Sequence, residues 1–183
     1  MKKIILVTGL IGGTIVSIML IYATWHITQT DDFEGNMFLG YATMILAFSL
    51  IFVAVKQVRD KENNGVISFG KAFKTGLFVT LVTSTMYVLV WLVCYYFFTP
   101  DFMDKYTACV LKNATRDGAT AAEMTEKVAE MKSYREMYKN PLFVILLTYM
   151  EILPVGLIVS LITALILKRK INKDFGVLAE VRA

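Results

Sequence analysis

The chain has 183 residues, of which 56% are hydrophobic and 19% charged, with a mean hydropathy of +0.58; a soluble domain of this length is less apolar and richer in charge. The net charge of +4 does not point to nucleic acid, because Lys and Arg flank long uncharged runs, an arrangement that orients membrane spans. Two cysteines, Cys94 in an apolar run and Cys109 in a loop, together with the single His26, make neither a metal motif nor a disulfide framework, so no metal and no cofactor is expected.

About 20 apolar residues cross the hydrocarbon core as a helix. Four segments reach that length: Ile4 to Ile27, Asn36 to Val55, Thr75 to Phe98 and Leu142 to Leu167. Lipid offers no partner to open backbone groups, so each is expected to be helical, and none alternates as a membrane β-strand does. The expected fold is an all-α membrane protein, a four-transmembrane-helix bundle forming one domain over residues 1–183. The first segment follows Met1-Lys2-Lys3. Its apolar run is too long for a signal core and ends without a clear cleavage site, so it is read as a retained span. His26 sits at its end beside Trp25, an interfacial position.

Between the second and third spans, Phe69, Ala72, Phe73 and Gly76 share one helical face while Lys71 and Lys74 take others, and Ser68 is a suitable N-cap. This interfacial basic-aromatic segment can lie in the membrane surface as a short amphipathic turn, begin the third helix, or do both. The 43 residues from Thr99 to Pro141 hold a helical hairpin. Phe102, Tyr106, Cys109 and Val110 repeat at helical spacing, and Thr120-Ala121-Ala122-Glu123 is a capping box. Met124, Val128, Met131, Arg135 and Tyr138 then trace one face, and Asn140-Pro141 stops it.

Lys and Arg set the expected orientation. With the N-terminus cytoplasmic, residues 1–3, 56–74 and 168–183 carry two, five and five of them, twelve in all. The opposite side carries seven, all in residues 99–141 and matched there by seven acids, while the loop from Thr28 to Gly35 has only the acids Asp31, Asp32 and Glu34. Both termini are therefore expected inside, with the hairpin extracytoplasmic.

Glu151 is the one acidic or basic residue well inside a span. Such a group should face protein or water and have a partner. It lies about four residues from the middle of the fourth span, roughly 6 Å at 1.5 Å per residue. Tyr41 on the second span and Tyr87 on the third lie near that depth and offer hydroxyl donors. Without an intramembrane cation, a neutral, hydrogen-bonded carboxyl is expected. Pro154 frees the carbonyl of Met150, and Gly156 adds local freedom, so Glu151 and Pro154 mark a candidate polar site. The structural reading is a kinked helix whose glutamate bonds a tyrosine; the competing one is proton or ligand binding, as carboxyls beside broken turns serve in ion-coupled transporters. Catalysis is not expected, because the spans supply no second acid, no nucleophile with a base and no metal set. Thr80, Thr83, Ser84 and Thr85 read as interhelical hydrogen-bonding groups.

Gly9, Gly13 and Ser17 recur every four residues on the first span, and Gly156, Ser160 and Ala164 on the fourth. Such stripes let backbones approach closely. Their matching depths predict direct packing of the first and last helices, closing the bundle on its inner half and leaving any cavity toward Glu151.

Two stretches resemble a known family. One is Ile51-Phe52-Val53, Lys56-Gln57-Val58-Arg59-Asp60 and Asn64 to Gly76; the other is Glu151-Ile152-Leu153-Pro154-Val155-Gly156, followed by Ala164 to Lys170. Together they resemble the domain-of-unknown-function 4199 family of bacterial membrane proteins. The resemblance implies a four-span architecture and a bacterial source, hence the cytoplasmic (inner) membrane, and carries no catalytic or binding residue with it. The expected function is non-enzymatic: a membrane scaffold, accessory or sensor protein. The alternative is a small transporter or permease subunit using Glu151. The expected partners are the lipid bilayer and another membrane protein or a second copy of the chain.

Overall fold

The computed structural model describes residues 1–30 and 37–169. The acidic run Asp31, Asp32 and Glu34 and the basic residues Lys170, Lys173 and Arg182 lie outside them. The described residues form α1 (Lys2–Thr30), α2 (Met37–Glu62), α3 (Phe69–Val93) with a π-helical turn at Cys94–Phe98, α4 (Phe102–Arg116), α5 (Ala121–Tyr138) and α6 (Pro141–Leu167). Four are long and apolar enough to cross a membrane: Lys2–Thr30, Phe38–Glu62, Phe69–Phe98 and Pro141–Leu167. The fold is all-α, and among the described residues the only β pairing is an isolated bridge between Ile67 and Arg169.

Local chemistry explains where these helices begin and end. Ser68 caps α3, accepting from the Lys71 backbone N–H at 3.3 Å, so the Phe69–Lys74 stretch opens α3. Glu123 Oε2 accepts from the Thr120 N–H at 2.7 Å while Thr120 Oγ1 accepts from the Glu123 N–H at 3.4 Å, the reciprocal capping box that starts α5. Asn140 accepts from Leu142 N–H at 3.0 Å, and Pro141 occupies the first position of α6, where its missing N–H costs nothing. At the end of α4, Gly118 takes φ +81°, a left-handed conformation glycine adopts without steric penalty.

The spans pack with a definite neighbour pattern. α3 lies against α1 and α6; α2 also lies against α1 and α6, and touches α3. The order around the bundle is therefore α1, α2, α6, α3, with α2 and α3 across the short diagonal and α1 and α6 across the long one. The direct α1–α6 packing expected from the two small-residue stripes does not occur. Both stripes are used, but each against α3. A Cβ on Gly9 would come within 2.7 Å of the Val82 side chain, and one on Gly13 within 2.7 Å of Met86 Sδ. A Cβ on Gly156 would strike Thr80 Cγ2 and lie 2.9 Å from Phe48 Cε1. Ser160 sits over Gly76 of α3, while Ser17 and Ala164 are buried. The reason is complementarity: a groove of glycines is filled by side chains of ordinary size, and α3 supplies Val82, Met86 and Thr80 on two of its faces.

The core is densest toward the end carrying the N-terminus, the α2–α3 turn and the end of α6, called here the basic end. Phe48, Ile51, Ala54, Val55 and Val58 of α2 are completely covered. At the other end α4 packs on α5, with an ion pair from Arg135 Nη2 to Asp104 Oδ1 at 2.7 Å. On α5, Met131 is buried and Val128 is exposed, so the face expected from Met124 to Tyr138 is only partly covered.

Candidate functional site

α3 and α6 run antiparallel and are joined by a ladder of polar side chains. Near the basic end Thr80 Oγ1 and Ser160 Oγ lie 3.1 Å apart, fully buried. Toward the other end Thr85 Oγ1 and Tyr149 Oη lie 2.8 Å apart, and the Tyr87 hydroxyl donates to Glu151 Oε1 at 3.5 Å. On another face of α3, Thr83 Oγ1 donates to the Gly9 carbonyl at 3.0 Å. Three of the four hydroxyls expected to bond between helices therefore do so, and each such bond contributes about 0.6 kcal/mol in membrane bundles. The fourth, Ser84, is buried without a partner among the described residues, as is Ser17.

Glu151 is thus brought to Tyr87, one of its two expected tyrosines. Tyr41 is not joined to it; that side chain lies on an exposed face of α2. α6 continues as a helix through Pro154, which supplies no N–H to the Met150 carbonyl. At 3.5 Å the bond is at the long limit of hydrogen bonding, and Glu151 retains exposed surface.

Above it rings from α3 and its π-helical turn, α4, α5 and α6 converge. Trp91 meets Phe102 edge to face with centroids 5.1 Å apart, Tyr95 lies 5.7 Å from Tyr138, and Tyr138 lies 5.9 Å from Phe143. Such pairs add about 0.5–1.5 kcal/mol each beyond their buried area. Burial pushes the Tyr138 hydroxyl up to about 12, with the neighbouring Tyr95 adding to the effect. Sequence periodicity had not indicated the layer, because its members come from the end of α3, from α4, from α5 and from α6. The π-helical turn could have been a signal only through its aromatic run Tyr95-Tyr96-Phe97-Phe98. Cys94 opens that turn, buried and free.

At the basic end, Phe69 and Phe73 stack with centroids 6.0 Å apart. Lys74 Nζ lies 5.9 Å over the Phe78 ring, a cation–π distance, and Lys71 donates to the Asn63 side-chain carbonyl. The segment therefore ties the α2–α3 turn to α3. Among the described residues no three His, Cys, Asp or Glu side chains gather as a metal set.

A search among curated proteins and one among solved structures each find no match. The sequence profile of one family does match, over residues 8–169, from the first turns of α1 past the end of α6, covering the first stretch that carried the resemblance and all of the second but Lys170. A chain with these four apolar helices, matched across nearly its whole described length, belongs to the family described as protein of unknown function DUF4199.

Proposed function

We propose that this chain is a non-enzymatic scaffold, accessory or sensor protein of the bacterial cytoplasmic membrane, with both termini inside and α4–α5 outside. One observation carries the reading. While Ser17 and Ser84 are buried without a partner among the described residues, three buried hydroxyls of the span interior, Thr80, Thr83 and Ser160, are engaged with one another or with the Gly9 carbonyl. They act as interhelical fasteners, and the polar interior is used for assembly. Affinity purification of the full chain from native membrane in mild detergent tests this. A protein partner should co-purify and be retained in Glu151→Gln. Recovery of the chain alone, across detergents that preserve its fold, would sink the scaffold reading. Orientation is tested separately, with Asn63→Cys and Thr120→Cys in a background lacking Cys94 and Cys109. An impermeant thiol reagent applied outside should label position 120 and spare 63; the reverse pattern inverts the topology.

The second reading, a transporter or permease subunit, is favoured by the long Tyr87–Glu151 contact, which leaves the carboxyl able to exchange a proton or take a ligand. Proton or solute flux in proteoliposomes that disappears in Glu151→Gln would support it over the first.

A further inference from the structure

We propose that the basic end carries a binding site for an anionic phospholipid on the outward face of α2. The site is a groove of about 370 Å³ lined, among the described residues, by Phe52, Val53, Lys56, Gln57, Asp60 and Lys61. These residues fall at successive turns of one helix face, so the groove is a ladder with rungs roughly 6 Å apart. The first rung is apolar: Phe52 and Val53 keep 38% and 43% of their surface exposed. The second offers an ammonium and an amide, and the third an ammonium and a carboxylate.

The chemistry of the third rung decides which headgroup fits. Asp60 is not a free anion: Arg59 holds it in a two-pronged pair, Nε to Oδ1 at 2.7 Å and Nη2 to Oδ2 at 3.3 Å. Arg169, at the end of α6, and Lys56 add their fields to the same carboxylate. Lys56 and Lys61 make no hydrogen bond or ion pair among the described residues. The groove therefore presents two available ammonium groups and the Gln57 amide beside a neutralised acid. A phosphodiester fits there. A zwitterionic headgroup would bring its own ammonium against Lys56 and Lys61 with no carboxylate left to receive it. Below, the exposed ring of Phe52 and the Val53 side chain sit where a lipid's acyl chains run. That gradient, from apolar to cationic along one helix face, selects a membrane lipid over a soluble phosphate.

The test uses the full chain extracted from vesicles containing equal phosphatidylglycerol and phosphatidylcholine, with bound lipid read by native mass spectrometry. Phosphatidylglycerol adducts should dominate. Removing one ammonium near an anionic headgroup weakens binding about fivefold, so Lys56→Gln with Lys61→Gln should reduce the adduct about 25-fold. Lys56→Arg with Lys61→Arg should retain it, as should the charge-matched control Lys112→Gln with Lys127→Gln on α4 and α5. Equal adducts of both lipids, an unchanged adduct in the double glutamine variant, or the same loss in the control would overturn the site. Displacement of the lipid by glycerol phosphate at equal concentration would overturn the role of Phe52 and Val53, and with it the assignment to a lipid.

Discussion

The two halves of the span bundle are built from similarly apolar helices and close in different ways. At the basic end the backbones come together on Gly76, Gly156, Ser160 and Ala164, and the side chains between them, from Phe48 to Val58 and from Ala72 to Thr80, include many with no exposed surface. At the end beneath α4 and α5, Val16, Val144 and Thr99 are comparably covered, but the space is filled mainly by rings: Trp91, Tyr95, Phe102, Tyr138 and Phe143. Small residues bring helices close and exclude everything else; rings hold them apart and leave edges. That difference explains why the Thr80–Ser160 pair is sealed, whereas Glu151 keeps exposed surface and only a 3.5 Å bond to Tyr87. A polar group that must be reachable belongs in the half closed by rings.

The comparison breaks most readily at Gly156. A side chain there meets Thr80 and Phe48, whereas one at Gly40, on the opposite half, meets nothing within 4 Å. Gly156→Leu should therefore destabilise the protein by about 3 kcal/mol or more, at the upper end of overpacking costs. Gly40→Leu should stay within about 0.5 kcal/mol. Unfolding in mixed micelles checks both, and equal effects would mean that the halves are packed alike. A smaller effect is expected from Thr80→Val with Ser160→Ala. The double variant should be less destabilised than the two single changes added together, because each single change strands its partner's hydroxyl, at about 1–3 kcal/mol; strict additivity would mean that the pair is not formed.

The smallest effect lies outside the bundle, at the start of α5. The backbone N–H of Thr120, with its hydroxyl, holds the Glu123 carboxyl below its ordinary value of 4.5. A group depressed on folding contributes stability above its unfolded pKa and loses it as pH falls through the folded one. Amide exchange in the first turn of α5 should therefore show excess opening when pH is lowered below about 4.5. Glu123→Gln should reduce that dependence while leaving the spans unaffected. Equal acid-induced opening throughout α3 and α6 would instead place the sensitivity in the bundle.

Part of the site was legible before the structure. Glu151 stood out as the lone charge in a span, and Tyr87 followed from depth counted along the helices. The caps at Ser68 and Thr120 were legible because a cap is a local hydrogen bond between residues three apart, whereas Asn140, read as the stop of the preceding helix, also caps α6. Tyr41 was misplaced for an instructive reason. Depth is one coordinate of a residue in a membrane, and rotation about the helix axis is another. Tyr41 has the depth and lies on an exposed face. The ring layer above Glu151 is not legible in the sequence because its members are scattered from Trp91 to Phe143 and share no period.

The sequence by itself determined that there are four apolar helices and which of them carries the lone carboxyl, since each follows from hydropathy and charge along a single segment; α2 runs on past the expected Val55 to Glu62, and α3 begins at Phe69 rather than Thr75. It did not determine which helices meet. Two stripes of small residues at matching depth are equally consistent with packing on each other or on a third partner, and apolar surface facing lipid gains little by turning inward. The tertiary structure decided for α3, because Val82, Met86 and Thr80 fit the glycine grooves of α1 and α6 while Thr83 and Thr80 place their hydroxyls on the Gly9 carbonyl and on Ser160. Shape and hydrogen bonding between helices, properties of pairs of surfaces rather than of any one span, chose α3 over the direct pairing.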